Sequence, residues 1–115
     1  MQFQITKNPA ALDDAARAAA MANPAFGRVF TDHMVTIRWT ADKGWQDAEV
    51  RARAPFQLDP AAAVLHYAQE IFEGLKAYRA GDGGFTMFRP ERNARRFIES
   101  ARRMAMPELP EALFV

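Results

Sequence analysis

HYAQEIFEGLKAYRAGDGGFTMFRPERNARRFIESARRMAM, residues 66–106, sets two kinds of element side by side. AGDGG at 80–84 is a turn cluster containing Asp82-Gly83, and the apolar runs on either side of it predict a hairpin. After the turn, Phe85, Met87 and Arg89 alternate with Thr86 and Phe88, the period of a strand. Before it, QEIFEGLKAYR at 69–79 reads two ways. Ile71, Leu75 and Tyr78 fit a helix stripe, while Phe72, Gly74, Lys76 and Tyr78 fit one face of a strand. The turn that follows favours a strand over 71–79. Pro90-Glu91 then opens a helix to about residue 104, with Ala94, Phe97, Ile98, Ala101 and Met104 on one stripe. Met106-Pro107 closes it, and Pro110-Glu111 reads as the start of another helix.

Upstream, Asn8-Pro9 has the form of a helix start, followed by the alanine-rich stretch 10–22, which has high helix propensity and little to bury. Asn23-Pro24 ends it. Val35, Ile37 and Trp39 alternate with Met34, Thr36 and Arg38. Ala48, Val50 and Ala52 alternate with Glu49, Arg51 and Arg53. With Asp42-Lys43-Gly44 as the turn, these form a hairpin of strands 32–40 and 46–53. Asp59-Pro60 opens one or two helical turns over 61–67. The order is hairpin, short helix, hairpin, helix: an α+β chain with a mostly antiparallel sheet and helices packed on it.

Composition limits the chemistry. The formal net charge of +1 gives no global pull toward nucleic acid or membrane. The absence of cysteine removes disulfides, thiolate nucleophiles and cysteine-bound metals. No apolar run approaches the roughly 20 residues of a membrane span, and the N-terminus lacks a secretory pattern, so the expected setting is cytoplasmic. Of fifteen basic residues only Lys7, Lys43 and Lys76 are lysine. The rest are arginine, whose planar fork suits carboxylate and phosphate.

Six arginines fall in the helix region: Arg89, Arg92, Arg95, Arg96, Arg102 and Arg103. They form either an anion site or the solvated face of an amphipathic helix, and composition favours the solvated face. No motif supports nucleic-acid binding. His33 and His66 are isolated from each other and lack metal-ligand spacing, so no metal is expected. His66 fits a hydrogen-bonded structural role. Glu70 and Glu73 fit either a carboxylate pair for acid–base work or charges on a surface element. Ser100 is the only serine and has no histidine near it in sequence. Phe26, Phe30, Tyr67, Phe72 and Tyr78 fit an apolar pocket or ordinary core packing.

FGRVFTDHMVTIRW at 26–39, LHYAQEIFEGLKAYR at 65–79 and FRPERNARRFIESARRMAMPELP at 88–110 together resemble the N-terminal part of the branched-chain amino acid aminotransferases, fold-type IV pyridoxal-phosphate enzymes. The resemblance covers about residues 26–114 and implies most of the family's small domain at 26–115, incomplete, behind a lead-in at 1–25. It implies transfer of the α-amino group of leucine, isoleucine or valine to 2-oxoglutarate through pyridoxal 5'-phosphate, yielding a 2-oxo acid and glutamate. FRPERNARR places the family's phosphate-binding arginine at Arg96. The pocket for the substrate side chain maps to Phe26, Tyr67 and Phe72. In the family the tyrosine of HYA reaches a neighbouring subunit's site, which implies a homodimer or a higher homo-oligomer.

One departure matters. The family's Schiff-base lysine lies further along than this chain extends, and none of Lys7, Lys43 or Lys76 sits in a matching motif. No catalytic residue is therefore assigned, and the 115-residue chain alone is expected to be inactive, a piece of a longer enzyme. The alternative is a stand-alone binding or dimerising module built from the same domain.

Overall fold

The alternation over 33–52 becomes an antiparallel hairpin in the computed structural model, which describes residues 1–115. Strands β2 (His33–Thr40) and β3 (Gly44–Ala52) pair with Val35 opposite Val50 and Trp39 opposite Trp45. Gly44, at φ +69°, supplies the left-handed backbone that closes the turn. The register shifts between Thr36 and Arg38, where β3 carries one extra residue and Asp47 takes φ 51°. This is a β-bulge, and side-chain alternation alone gives no sign of it.

The three-stranded sheet is mixed: its antiparallel hairpin matches the expectation of a mostly antiparallel sheet, and one short parallel strand is added to it. Strand β1 (Gln4–Ile5) runs parallel to β3, with Gln4 opposite Glu49 and Ile5 opposite Val50, and the spatial order is β1-β3-β2. The Thr6 amide extends this pairing by donating to the Val50 carbonyl at 2.9 Å. The outer edge of β3 is open to a partner, and two residues from near the N-terminus take it, too few to show a period.

Helix α1 (Asp14–Ala22) begins later than Asn8-Pro9. Its N-cap is Asp13, whose carboxylate accepts the Ala16 amide at 2.8 Å. Asn8 serves a turn instead. Its Oδ1 accepts the Ala10 amide at 2.9 Å, and its Nδ2 donates to the Asp32 carbonyl at 3.0 Å. No residue of α1 is buried. These elements make up one compact unit, Met1–Gln57, in which Ala48 is the only buried apolar residue.

The second unit is Leu58–Val115. Asp59 caps a turn by accepting the Ala61 amide at 2.7 Å, and helix α2 (Ala63–Tyr67) follows without a side-chain cap. Strands β4 (Ala77–Arg79) and β5 (Phe85–Met87) form the second hairpin, with Tyr78 opposite Thr86. Its turn uses Gly83 at φ +86°, and the Asp82 carboxylate accepts the Gly84 amide at 2.9 Å.

The strand expected over 71–79 is therefore shortened to 77–79. The preceding segment is drawn to helix α3 (Pro90–Arg103) instead. The Gln69 Nε2 donates to the Met104 carbonyl at 2.9 Å, and the Asn93 Nδ2 donates to the Gly74 carbonyl at 2.9 Å. Those bonds replace a strand partner.

Helix α3 follows the expected bounds closely. Ala94 and Ala101 are buried, Phe97 and Ile98 half-buried, and Met104 at the end of the stripe is exposed. Its C-terminus is a Schellman motif. The Met106 amide donates to the Ala101 carbonyl at 2.8 Å, and the Ala105 amide to the Arg102 carbonyl at 3.2 Å. Ala105 takes the left-handed position, φ 52°, where glycine is the usual choice. Helix α4 (Glu111–Phe114) docks on α3 through the Phe97 and Phe114 rings, whose centroids lie 5.4 Å apart.

Candidate functional site

Three residues on α3 and its neighbouring segment converge. Asn93 and Arg96 are one helical turn apart and share a face. Both reach Glu73. The Arg96 guanidinium donates to the Glu73 carboxylate through Nε at 2.9 Å and Nη2 at 2.7 Å, a bidentate fork. Asn93 Nδ2 donates to Glu73 Oε1 at 3.0 Å, and the Gly74 amide donates to the same oxygen at 3.1 Å. Asn93 is buried, the Glu73 side chain is 11% exposed and the Arg96 side chain 59% exposed.

The electrostatics follow this geometry. The Arg96 hydrogen bonds hold the Glu73 carboxyl below its ordinary value of 4.5, against the opposing effect of desolvation, with Asn93 and Gly74 adding to the lowering. The same pair raises Arg96. A second fork, Arg102 to Glu108 at 2.8 and 2.7 Å, likewise holds Glu108 below 4.5. Lowered carboxylate values stabilise the folded state above 4.5, and that contribution fades as pH falls through the lower, folded value. Thermal melts between about pH 7 and about pH 3 are therefore expected to show a steady loss of stability below 4.5. Glu73→Gln is expected to flatten part of that loss. An identical acid profile in the variant would show that the fork is not formed in solution.

The arginine run divides along these lines. Arg95, Arg96 and Arg102 lie against Glu111, Glu73 and Glu108. Paired this way, the helix does not present a continuous cationic stripe. Arg96 still keeps its Nη1 without a protein acceptor, so one edge of the guanidinium remains for an external anion. That donor set fits one phosphate group at its margin.

The histidines have structural partners. His66 Nε2 donates to the Pro60 carbonyl at 2.6 Å, in keeping with the role expected for it. His33 Nε2 accepts the Asn8 amide at 2.8 Å. No group of three or more His, Cys, Asp or Glu side chains is placed to hold a metal ion.

The aromatic residues assigned to a substrate pocket lie on the surface. Phe26 in the first unit is 99% exposed, and Tyr67 and Phe72 in the second are each 83% exposed. The open groove of the first unit is lined by other residues, among them Phe30, Met34, Val35 and Phe56. Arg53 lies over the Phe30 ring there, 4.1 Å from its centroid.

Of these three residues, the motif resemblance points to Arg96 alone, gives Asn93 no role and leaves Glu73 as one of two undecided carboxylates. The Asn93–Arg96 spacing was a usable signal, since it puts both side chains on one helix face. Glu73, twenty residues before Asn93, offers no local signal at all.

No protein-family model matches this sequence. Individual proteins do. The chain is 62% identical over 104 residues to a Streptomyces coelicolor protein named "Probable branched-chain-amino-acid aminotransferase", covering 90% of this chain and 29% of that one. It is 55% identical over 115 residues to the branched-chain-amino-acid aminotransferase of Mycolicibacterium smegmatis, 100% of this chain and 31% of the relative. The cytosolic branched-chain-amino-acid aminotransferase of Saccharomyces cerevisiae is 52% identical over 89 residues, 76% of this chain and 24% of its own length. This chain spans less than a third of the curated relatives it matches, and along that span it is a homologue of the branched-chain-amino-acid aminotransferases.

Proposed function

We propose that this chain supplies the N-terminal, small-domain part of a fold-type IV branched-chain amino acid transaminase. The reaction moves the α-amino group of leucine, isoleucine or valine to 2-oxoglutarate in the cytosol. The observation that carries this reading is the 55% identity along all 115 residues to an enzyme of that name. Pyridoxal 5'-phosphate would supply the electron sink for the reaction.

The chain's own residues bind and shape. Arg96 offers its Nη1 edge to the cofactor phosphate, a contact that suits a guanidinium better than an ammonium. Phe26, Tyr67 and Phe72 offer apolar ring surface to a branched aliphatic side chain. Their exposure suits residues completed by further protein, including a second subunit in a homodimer that Tyr67 would reach. None of Lys7, Lys43 or Lys76 is assigned to the cofactor.

Two assays test this. The product of the complete encoding frame in its native source, incubated with leucine and 2-oxoglutarate, is expected to form glutamate only when pyridoxal 5'-phosphate is present. The purified 115-residue chain is expected to form none. No glutamate from the complete product would overturn the transaminase reading and leave a binding or dimerising module. Turnover by the 115-residue chain, free of host enzyme, would overturn the assignment of its residues to binding alone.

A further inference from the structure

We propose that Glu73 is the positioning residue for Arg96, fixing the guanidinium through its Nε and Nη2 so that the Nη1 edge is left to hold a phosphate group. This deepens, and rests on, the reading of Arg96 as the cofactor-phosphate ligand.

The asymmetry of the pair assigns the roles. Glu73 is the anchored member, with its side chain 11% exposed and four donors on it from Arg96, Asn93 and Gly74. Arg96 is the member being ordered. It is 59% exposed, and its protein hydrogen bonds are the two to Glu73. A long exposed arginine loses much rotamer freedom when it binds an anion, and a residue that removes that freedom beforehand improves affinity. The fork also sets the plane of the guanidinium, because two parallel bonds fix orientation where one does not.

The opposite role for Glu73 is that of an internal anion that blocks Arg96 and departs when phosphate arrives. That role needs a mobile carboxylate. Departure would leave Asn93 Nδ2 without one of its two acceptors in a buried position, so the arrangement favours a fixed Glu73.

The test uses the whole 115-residue chain, labelled with 15N, with inorganic phosphate as the probe. In the unsubstituted chain the Arg96 Nε–H resonance is expected to exchange with water more slowly than those of exposed Arg92 and Arg103, and to shift as phosphate is added. Glu73→Gln keeps the shape and loses the charge. Glu73→Asp keeps the charge and loses the reach. Both are expected to weaken phosphate binding by about fivefold or more. Binding that is unchanged or tighter in Glu73→Gln would overturn the proposal in favour of competition. Unchanged binding in Glu73→Asp would show that charge alone matters and would also overturn it. Fast exchange of the Arg96 Nε–H in the unsubstituted chain would do the same without any variant. A separate result bears on the underlying reading. If Arg96→Gln leaves the phosphate response of the backbone amides intact, Arg96 is not the phosphate ligand, whatever Glu73 does.

Discussion

Asn93→Ala is expected to destabilise the second unit by about 2 kcal/mol, roughly 10 °C in Tm. Asn93 is buried, and its one amide nitrogen serves two acceptors, Glu73 Oε1 at 3.0 Å and the Gly74 carbonyl at 2.9 Å. Alanine deletes both bonds and takes one donor from the nearly buried Glu73 carboxylate, the costly half of a broken hydrogen bond. The loss falls on a thin core, since Ala94 and Ala101 are the only buried apolar residues of that unit. Asn93→Asp sharpens the comparison. It preserves the shape but sets a second carboxylate against Glu73, so its deficit is expected to grow as pH rises through the carboxylate range. Thermal melts followed by circular dichroism at two pH values read both effects. An Asn93→Ala melt superimposable on that of the unsubstituted chain would mean that the 69–76 segment does not depend on α3.

The purified 115-residue chain is expected to self-associate strongly. Its accessible surface is 9574 Å², whereas a compact monomer of 12.9 kDa exposes about 6300 Å². Even two separate compact bodies of half that mass would expose only about 7600 Å². Much of the excess is aromatic and aliphatic: Phe26, Tyr67, Phe72, Phe85 and Phe88 are all largely open to solvent. Water is a poor neighbour for that much apolar area, and association is the ordinary way to cover it. Sedimentation velocity over a range of concentrations is expected to give a mass well above 12.9 kDa. A single monomeric species at every concentration would contradict this.

Local chemistry made much of the fold legible. Asp42-Lys43-Gly44 and Asp82-Gly83 marked both hairpins, because turns depend on residues that tolerate unusual backbone angles. The stripe from Ala94 to Ala101 marked α3, because burial imposes the helical period. What was missed depends on distance along the chain. β1 finds the edge of β3 more than forty residues away, and two residues carry no pattern. A strand over 71–79 is expected because Phe72, Gly74, Lys76 and Tyr78 alternate ahead of a turn, but Gln69 and Gly74 bond to α3 and its C-cap instead. Asn8 looked like a helix cap and is a turn, since its side chain found Asp32 and its own loop. In the candidate site, the motif points to Arg96 alone, whereas the Arg96–Glu73 pairing is set only by folding.

The Asn93 clasp makes one mechanical piece of residues with different tasks. Glu73 sits next to Phe72 in the chain, and the Phe72 ring lies over Gly74, where an added Cβ would meet it at 3.5 Å. Any tilt of α3 that moves Asn93 and Arg96 therefore drags Glu73, Gly74 and Phe72 along. The aromatic surface and the cationic edge thus share a single backbone anchor, Glu73-Gly74, held by Asn93.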